Sequence, residues 1–285
     1  MIRLLIFGQS GQVARALSQV TRAHVMTLDR AAADLSNPDS CAAHIRDTDA
    51  DAVINAAAWT DVDGAEAAEA AATVVNAVAP GVMARAAALR DLPFIHLSSD
   101  YVFDGSGDAL WRPNHSTGPI NAYGRSKLAG EQTVMAAGGL SVVLRTSWVF
   151  DGVGRNFVTT MLRLGATRDQ LSIVADQIGG PTPASHIAEA CVKIAEGLVA
   201  GRGAPGIYHL SGTPDTSWAD FARAIFACSG QSVDVHDIAT ADYPTAAVRP
   251  LNSRLDCRDL QREFGITRPD WATALREICE RVSHE

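Results

Sequence analysis

Apolar residues in this chain recur in two rhythms. Short runs such as Ile2-Arg3-Leu4-Leu5-Ile6-Phe7 and Ala52-Val53-Ile54 are almost continuously apolar, which suits strands buried on both faces. Between them lie longer, alanine-rich stretches with helical spacing. Read in order, the pattern predicts strands at Ile2–Phe7, His24–Leu28, Asp51–Asn55, Phe94–Leu97 and Ser141–Arg145. Helices are predicted from the end of the first strand to about Val20, over Ala65–Ala72 and over Thr73–Ala88. Such alternation implies an α/β chain with a parallel sheet and right-handed crossovers.

The first strand runs into Gly8-Gln9-Ser10-Gly11-Gln12-Val13-Ala14. Between strand and helix, G-x-x-G-x-x-A is a phosphate-binding turn: Gly8 permits the tight bend, Gly11 admits a pyrophosphate and Ala14 keeps the helix close. The N–H groups at the helix start then face the phosphates. The bland alternative is a tight turn without ligand. The expected fold is a Rossmann-type doubly wound parallel sheet over residues 1–147. Residues 148–285 form mostly a smaller C-terminal α/β lobe that binds substrate, with helices at Asn156–Leu164, Trp218–Ala227 and Trp271–Val282. Within it, about 184–211 (the helix Ala184–Glu196 and the strand Gly206–Leu210) is expected to return to the main sheet.

The second strand ends at Asp29, where an acid can meet an adenosine ribose and favour NAD. Arg30 beside it could instead pair with the 2′-phosphate of NADP, so the preference stays open. Asp34-Leu35 suits an adenine contact or an ordinary loop. Ala56-Ala57-Ala58-Trp59, at the end of the third strand, leaves room for a cofactor across the sheet.

The fourth strand delivers Ser98-Ser99-Asp100 to the same edge, and Tyr123-Gly124-Arg125-Ser126-Lys127 follows. On a helix Tyr123 and Lys127 share a face. A hydroxyl from Ser99 can polarise a carbonyl while Tyr123 exchanges a proton with it, and the Lys127 charge is expected to lower the tyrosine pKa. Asn121 is placed to cap that helix. Asp100 is a candidate ligand contact or a structural loop acid, and Trp148 an aromatic wall or a core residue. Arg249 and Arg254 could neutralise a diphosphate or form structural ion pairs; Asp176 and Gln177 read as structure of the second lobe. His96 reads as a core histidine.

With 285 residues, 47% of them hydrophobic, the chain can bury a full core. Its net charge of −8 argues against nonspecific nucleic-acid binding. No apolar stretch is expected to reach membrane-spanning length, and Met1 leads straight into the first strand, leaving no room for a signal peptide. Five dispersed cysteines without a C-x-x-C pair suggest reduced thiols in the cytoplasm. The histidines show no metal spacing, and no metal ligand is assigned.

Taken together, G-x-x-G-x-x-A, Asn55-Ala-Ala-Ala-Trp59, Ser98-Ser-Asp-Tyr-Val-Phe-Asp-Gly105 and Tyr123-x-x-x-Lys127 resemble the extended short-chain dehydrogenase/reductases. Within them the chain is similar to the dTDP-4-dehydrorhamnose reductase family, a likeness that continues through Arg145-Thr-Ser-Trp-Val-Phe150, Asp176-Gln-Ile-Gly-Gly-Pro-Thr182 and Arg249-Pro-Leu-Asn-Ser-Arg-Leu-Asp256. The resemblance implies reduction of dTDP-4-dehydro-beta-L-rhamnose to dTDP-beta-L-rhamnose with NADPH or NADH, as a step in making activated sugar for polysaccharide. It implies Tyr123 as proton donor, Lys127 on the nicotinamide ribose and Ser99 on the carbonyl. It further implies Ser10, Gly11, Gln12, Asp29, Arg30, Asp34, Leu35, Ala57, Ala58 and Trp59 at the cofactor, and Asp100 and Trp148 at the substrate. Some members carry a glutamate early in the first helix as part of a magnesium-linked dimer. Here Arg15-Ala-Leu-Ser-Gln19 holds no acid, so magnesium use and a homodimer both stay open. A dehydratase would need an Asp-Glu pair where Asp100 is followed by Tyr101. An epimerase of the same superfamily and a noncatalytic nucleotide-binding subunit are the rival readings.

Overall fold

The computed structural model describes residues 1–282. Five strands, β1 (Ile2–Phe7), β2 (Ala23–Leu28), β3 (Ala52–Asn55), β4 (Phe94–Ser99) and β5 (Ser141–Thr146), form a six-stranded sheet with the strand Gly206–Leu210. The order is β2-β1-β3-β4-β5 and then Gly206–Leu210, and every pairing is parallel. The chain runs outward from β1 to β2, then crosses back to β3 on the other side of β1. That reversal opens a crevice at the carboxyl ends of the strands, where such sheets bind ligands.

Alternate side chains feed two cores, as a pleated strand requires. Leu4 and Ile6 face the helices Gln12–Ser18 and Ala184–Val199. Leu5 and Phe7 face the helices Pro38–Asp47 and Ala79–Ala88. A third core, around Phe150, Phe221 and Trp271, belongs to the smaller lobe, where Gln170–Val174 pairs in parallel with Asp234–Ile238.

Two expectations need correction. The helices expected at Ala65–Ala72 and Thr73–Ala88 divide elsewhere: Val62–Ala67 ends at Ala68, and Glu69–Thr73 passes through a π-helical turn, Val74–Val78, into Ala79–Ala88. Alanine periodicity carries no mark of a widened turn. By length and composition, Glu69–Ala88 is also apolar enough to cross a membrane, contrary to the expectation that no stretch approaches that length. Its alanines raise the hydropathy, but here it packs on Pro38–Asp47 and Ala122–Ala136, with Ala79, Met83, Ala84 and Ala87 buried.

Candidate active site

The glycine turn has the shape its sequence implies. Gly8 sits at φ +111°, a backbone that only glycine adopts readily, and a Cβ there would press on the Ala56–Ala57 backbone at 3.3 Å. Gly11 precedes the helix Gln12–Ser18 without a side-chain cap, so the first N–H groups of that helix are left for another partner. Gln12 keeps a buried side-chain oxygen without any partner. Ser10, Gly11 and Gln12 share a cavity of about 510 Å³ with Ala57, Ala58, Ser99, Tyr123 and Lys127. This cradle has room and free donors for a dinucleotide, and Tyr123 and Lys127 stand in its wall.

β4 runs two residues further than predicted, so Ser98 and Ser99 belong to the strand and point to opposite sides. Ser98 donates to Glu131 at 2.6 Å. Ser99 caps the turn Asp100–Val102 by accepting from the Tyr101 N–H at 3.2 Å, and donates to Asp100 at 3.0 Å. Tyr123 and Lys127 ride on the helix Ala122–Ala136, whose start is set by Asn121, accepting from the Gly124 N–H at 2.7 Å. The Tyr101 ring meets that of Tyr123 edge to face, 5.6 Å apart.

The electrostatics differ from the expectation that Lys127 lowers the Tyr123 pKa. Burial pushes the Tyr123 phenol up to about 12; a hydrogen bond with Ser99 opposes the rise and the Asp100 charge adds to it. The Lys127 ammonium is committed to the Leu97 carbonyl at 2.6 Å, and its own pKa is pulled down to about 8 by burial, against the pull of Glu131. The phenol therefore stays protonated at neutral pH, the form a proton donor needs. Asp100, 3% exposed, is raised by burial to about 6 while Ser253 and Ser99 hold it down, and one of its oxygens has no partner. At the end of β5 the Thr146 hydroxyl is likewise buried without a partner, in the wall of the same cavity.

Other expected residues fall outside this cluster. Leu35 is 5% exposed and belongs to the core beneath the helix Pro38–Asp47. Asp34 accepts from the Ser36 N–H and pairs with Arg30 at 3.3 Å. Asp29 is exposed and accepts from the Ala32 N–H at 2.8 Å. Trp59 turns toward Asp61, whose carbonyl accepts its indole N–H, and packs beside Tyr123. Arg249 pairs with Asp63 at 2.7 Å, Arg254 donates to the Asp108 carbonyl, and Asp176 holds Thr240. His96 is a core histidine, held against Asn55 and pushed well below its ordinary pKa by burial.

Sequence reasoning missed Asn76 and Trp218. Asn76, buried in the π-helical turn, accepts from the Trp59 N–H and donates to the Trp59 carbonyl and to Ser126 on the Tyr123 helix. A lone asparagine in the apolar run Val74–Val78 was the available signal. Trp218 borders the site and stacks on Trp148; nothing local marks that contact. A second cavity of about 880 Å³ lies alongside, bordered by Tyr101 and Trp218, with Arg168 and Arg249 in its wall.

Comparison with known proteins agrees with this geometry. The model of the RmlD substrate binding domain family matches residues 2–284. A dTDP-4-dehydrorhamnose reductase of Sinorhizobium fredii is 44% identical over 97% of this chain and 96% of its own, and that of Escherichia coli K12 is 35% identical over 99% and 98%. Among solved structures, a dTDP-4-dehydrorhamnose reductase from Clostridium acetobutylicum superposes with a TM-score of 0.92 at 31% identity, covering 99% of this chain and all of the other. Its counterpart from Bacillus anthracis, in complex with NADP, gives 0.91 at 32% identity, covering 98% and 99%. The chain belongs to the dTDP-4-dehydrorhamnose reductase family.

Proposed function

We propose that the chain reduces the C4 keto group of dTDP-4-dehydro-beta-L-rhamnose to the hydroxyl of dTDP-beta-L-rhamnose, using NADPH or NADH. One observation carries the reading: Tyr123, Lys127 and Ser99 line one cavity with the glycine turn Ser10–Gln12, at the carboxyl edge of a parallel sheet. The Bacillus anthracis relative in complex with NADP supports a nicotinamide dinucleotide as the cofactor.

A reduced nicotinamide bound beside Tyr123 supplies the hydride for C4. The chain's own groups supply the rest. Ser99 donates a hydrogen bond to the carbonyl oxygen and fixes its position. Tyr123, protonated at neutral pH, gives its proton to the same oxygen as negative charge develops there. Lys127 holds the nicotinamide ribose and keeps a positive charge near the phenol. Ala57 and Ala58 line the cradle; Asp29 and Arg30, both exposed just beyond β2, would meet the adenosine half. Asp100 and Trp148 bound the sugar. Residues 1–147, with about 184–211, carry the cofactor; the rest of 148–285 carries the substrate.

The test supplies dTDP-4-keto sugar, generated in place with a 3,5-epimerase, and compares NADPH with NADH. Steady cofactor consumption with accumulation of dTDP-rhamnose is expected. Cofactor that is bound but not consumed would point to an epimerase, and no product with either cofactor would overturn the assignment.

A further inference from the structure

Trp148 has a left-handed backbone, φ +49°, which a bulky residue keeps only where its surroundings hold it. Two contacts hold it here. Its indole stacks on that of Trp218, with ring centroids 3.6 Å apart and planes 12° from parallel. It also lies against Gly179, where a Cβ would stand 2.8 Å from its Cε2 atom, so any other residue there would displace it.

Trp218 is itself fixed. It opens the helix Trp218–Ser229, which Ser217 caps by accepting from the Asp220 N–H at 3.0 Å. Its indole N–H donates to Gln177 at 3.1 Å, Gln177 donates to Thr240, and Thr240 donates to Asp176. The Phe157 ring lies 4.5 Å away. Trp218 borders both cavities, the one containing Tyr123 and Lys127 and the larger one containing Arg168 and Arg249. The indole pair therefore stands where the two compartments meet.

We infer that Trp218 is a positioning residue for the sugar nucleotide: by stacking, it holds Trp148 against the sugar at the junction of the two cavities. The inference rests on the proposed reaction, in which the keto sugar lies beside Trp148. Trp218 itself need not touch the reacting atoms. A purely structural role, as part of the Phe157–Phe221 packing of the lobe, would lower stability without selecting between the two ligands.

The experiment compares the full chain with Trp218→Ala, Trp218→Phe and Gly179→Ala. It measures steady-state kinetics, dTDP-rhamnose affinity by calorimetry and NADPH affinity by fluorescence. Trp218→Ala is expected to raise KM for the keto sugar and weaken dTDP-rhamnose binding by about tenfold, the scale of one lost aromatic stack. The value of kcat should stay within about threefold, because the contact is made equally before and during reaction. NADPH affinity should not move. Trp218→Phe should recover most of the loss, and Gly179→Ala, which displaces Trp148 but leaves Trp218 intact, should reproduce it. Equal losses for sugar and NADPH, or an unchanged sugar KM, would overturn the inference. If Trp218→Ala fails to fold, an unchanged KM in Gly179→Ala overturns it instead. Absence of turnover by the unaltered chain would refute the reaction, and dTDP-rhamnose affinity in the variants would then still test the indole pair.

Discussion

Arg145 and Glu131 form a two-armed ion pair, with contacts of 2.8 and 2.6 Å and both side chains only 2% exposed. Glu131 lies one helical turn beyond Lys127 and also accepts from Ser98. Arg145 reaches on to the Pro113 carbonyl and His209 and lies over the Phe103 ring. The pair ties the Tyr123 helix to β5 and to the loop following Phe103.

Breaking such a pair from one side strands a charge in the core, at a cost of about 3–5 kcal/mol. Glu131→Gln should lose stability on that scale in urea unfolding, and Arg145→Met likewise. The double replacement Glu131→Leu with Arg145→Met should lose less than the sum, since neither charge remains. A Glu131→Gln variant as stable as the parent would refute the account.

Tyr123→Phe keeps the ring and removes the proton. Turnover should fall by roughly 10²- to 10⁴-fold, the usual worth of general-acid help, while NADPH affinity stays put. Ser99→Ala should fall less and Ser99→Thr least, because threonine keeps the hydroxyl. Stopped-flow measurement of NADPH oxidation is the check, and full activity in Tyr123→Phe would remove the tyrosine from the mechanism.

The pH dependence of stability follows from Asp100, whose carboxyl is raised from an ordinary 3.8 to about 6. Between those values the folded chain binds more protons than the unfolded one, so stability falls as pH rises through that window. Asp100→Asn should flatten this slope and unfold at higher denaturant than the parent at about pH 7, where the parent's carboxylate is charged and buried. Urea unfolding at a series of pH values is the check. Identical slopes for the two proteins between about pH 4 and about pH 6 would count against a buried, under-bonded carboxylate.

Lys127 sets the other limb. With its pKa near 8, its charge is lost on mildly alkaline titration, long before Tyr123 near 12 deprotonates. The value of kcat/KM should therefore decline above about pH 8, and Lys127→Arg, charged throughout, should move that limb upward. An unmoved limb would assign it to another group.

Much of this protein was legible in one dimension. Strand–turn–helix at Gly8 is a local event: a continuous apolar run, a glycine able to take φ +111°, then helical spacing. The same holds for Asn121 capping the Tyr123 helix and for Tyr123 and Lys127 sharing one of its faces. The family motifs likewise depend on residue type at fixed spacing. A motif position does not say which way a side chain turns, and that of Leu35 turns into the core.

What tertiary structure alone decided are contacts between distant residues and the burial that weights them. The sequence contains the strands of the main sheet, the returning Gly206–Leu210 among them, but only packing sets their order, stacks Trp148 on Trp218 and carries Asn76 to Ser126. Local pattern determines which backbone each segment prefers, since that energy is set within a few residues. Desolvation depends on everything around a group, and it reverses the simplest inference about the site: burial raises the Tyr123 pKa where the neighbouring lysine was expected to lower it.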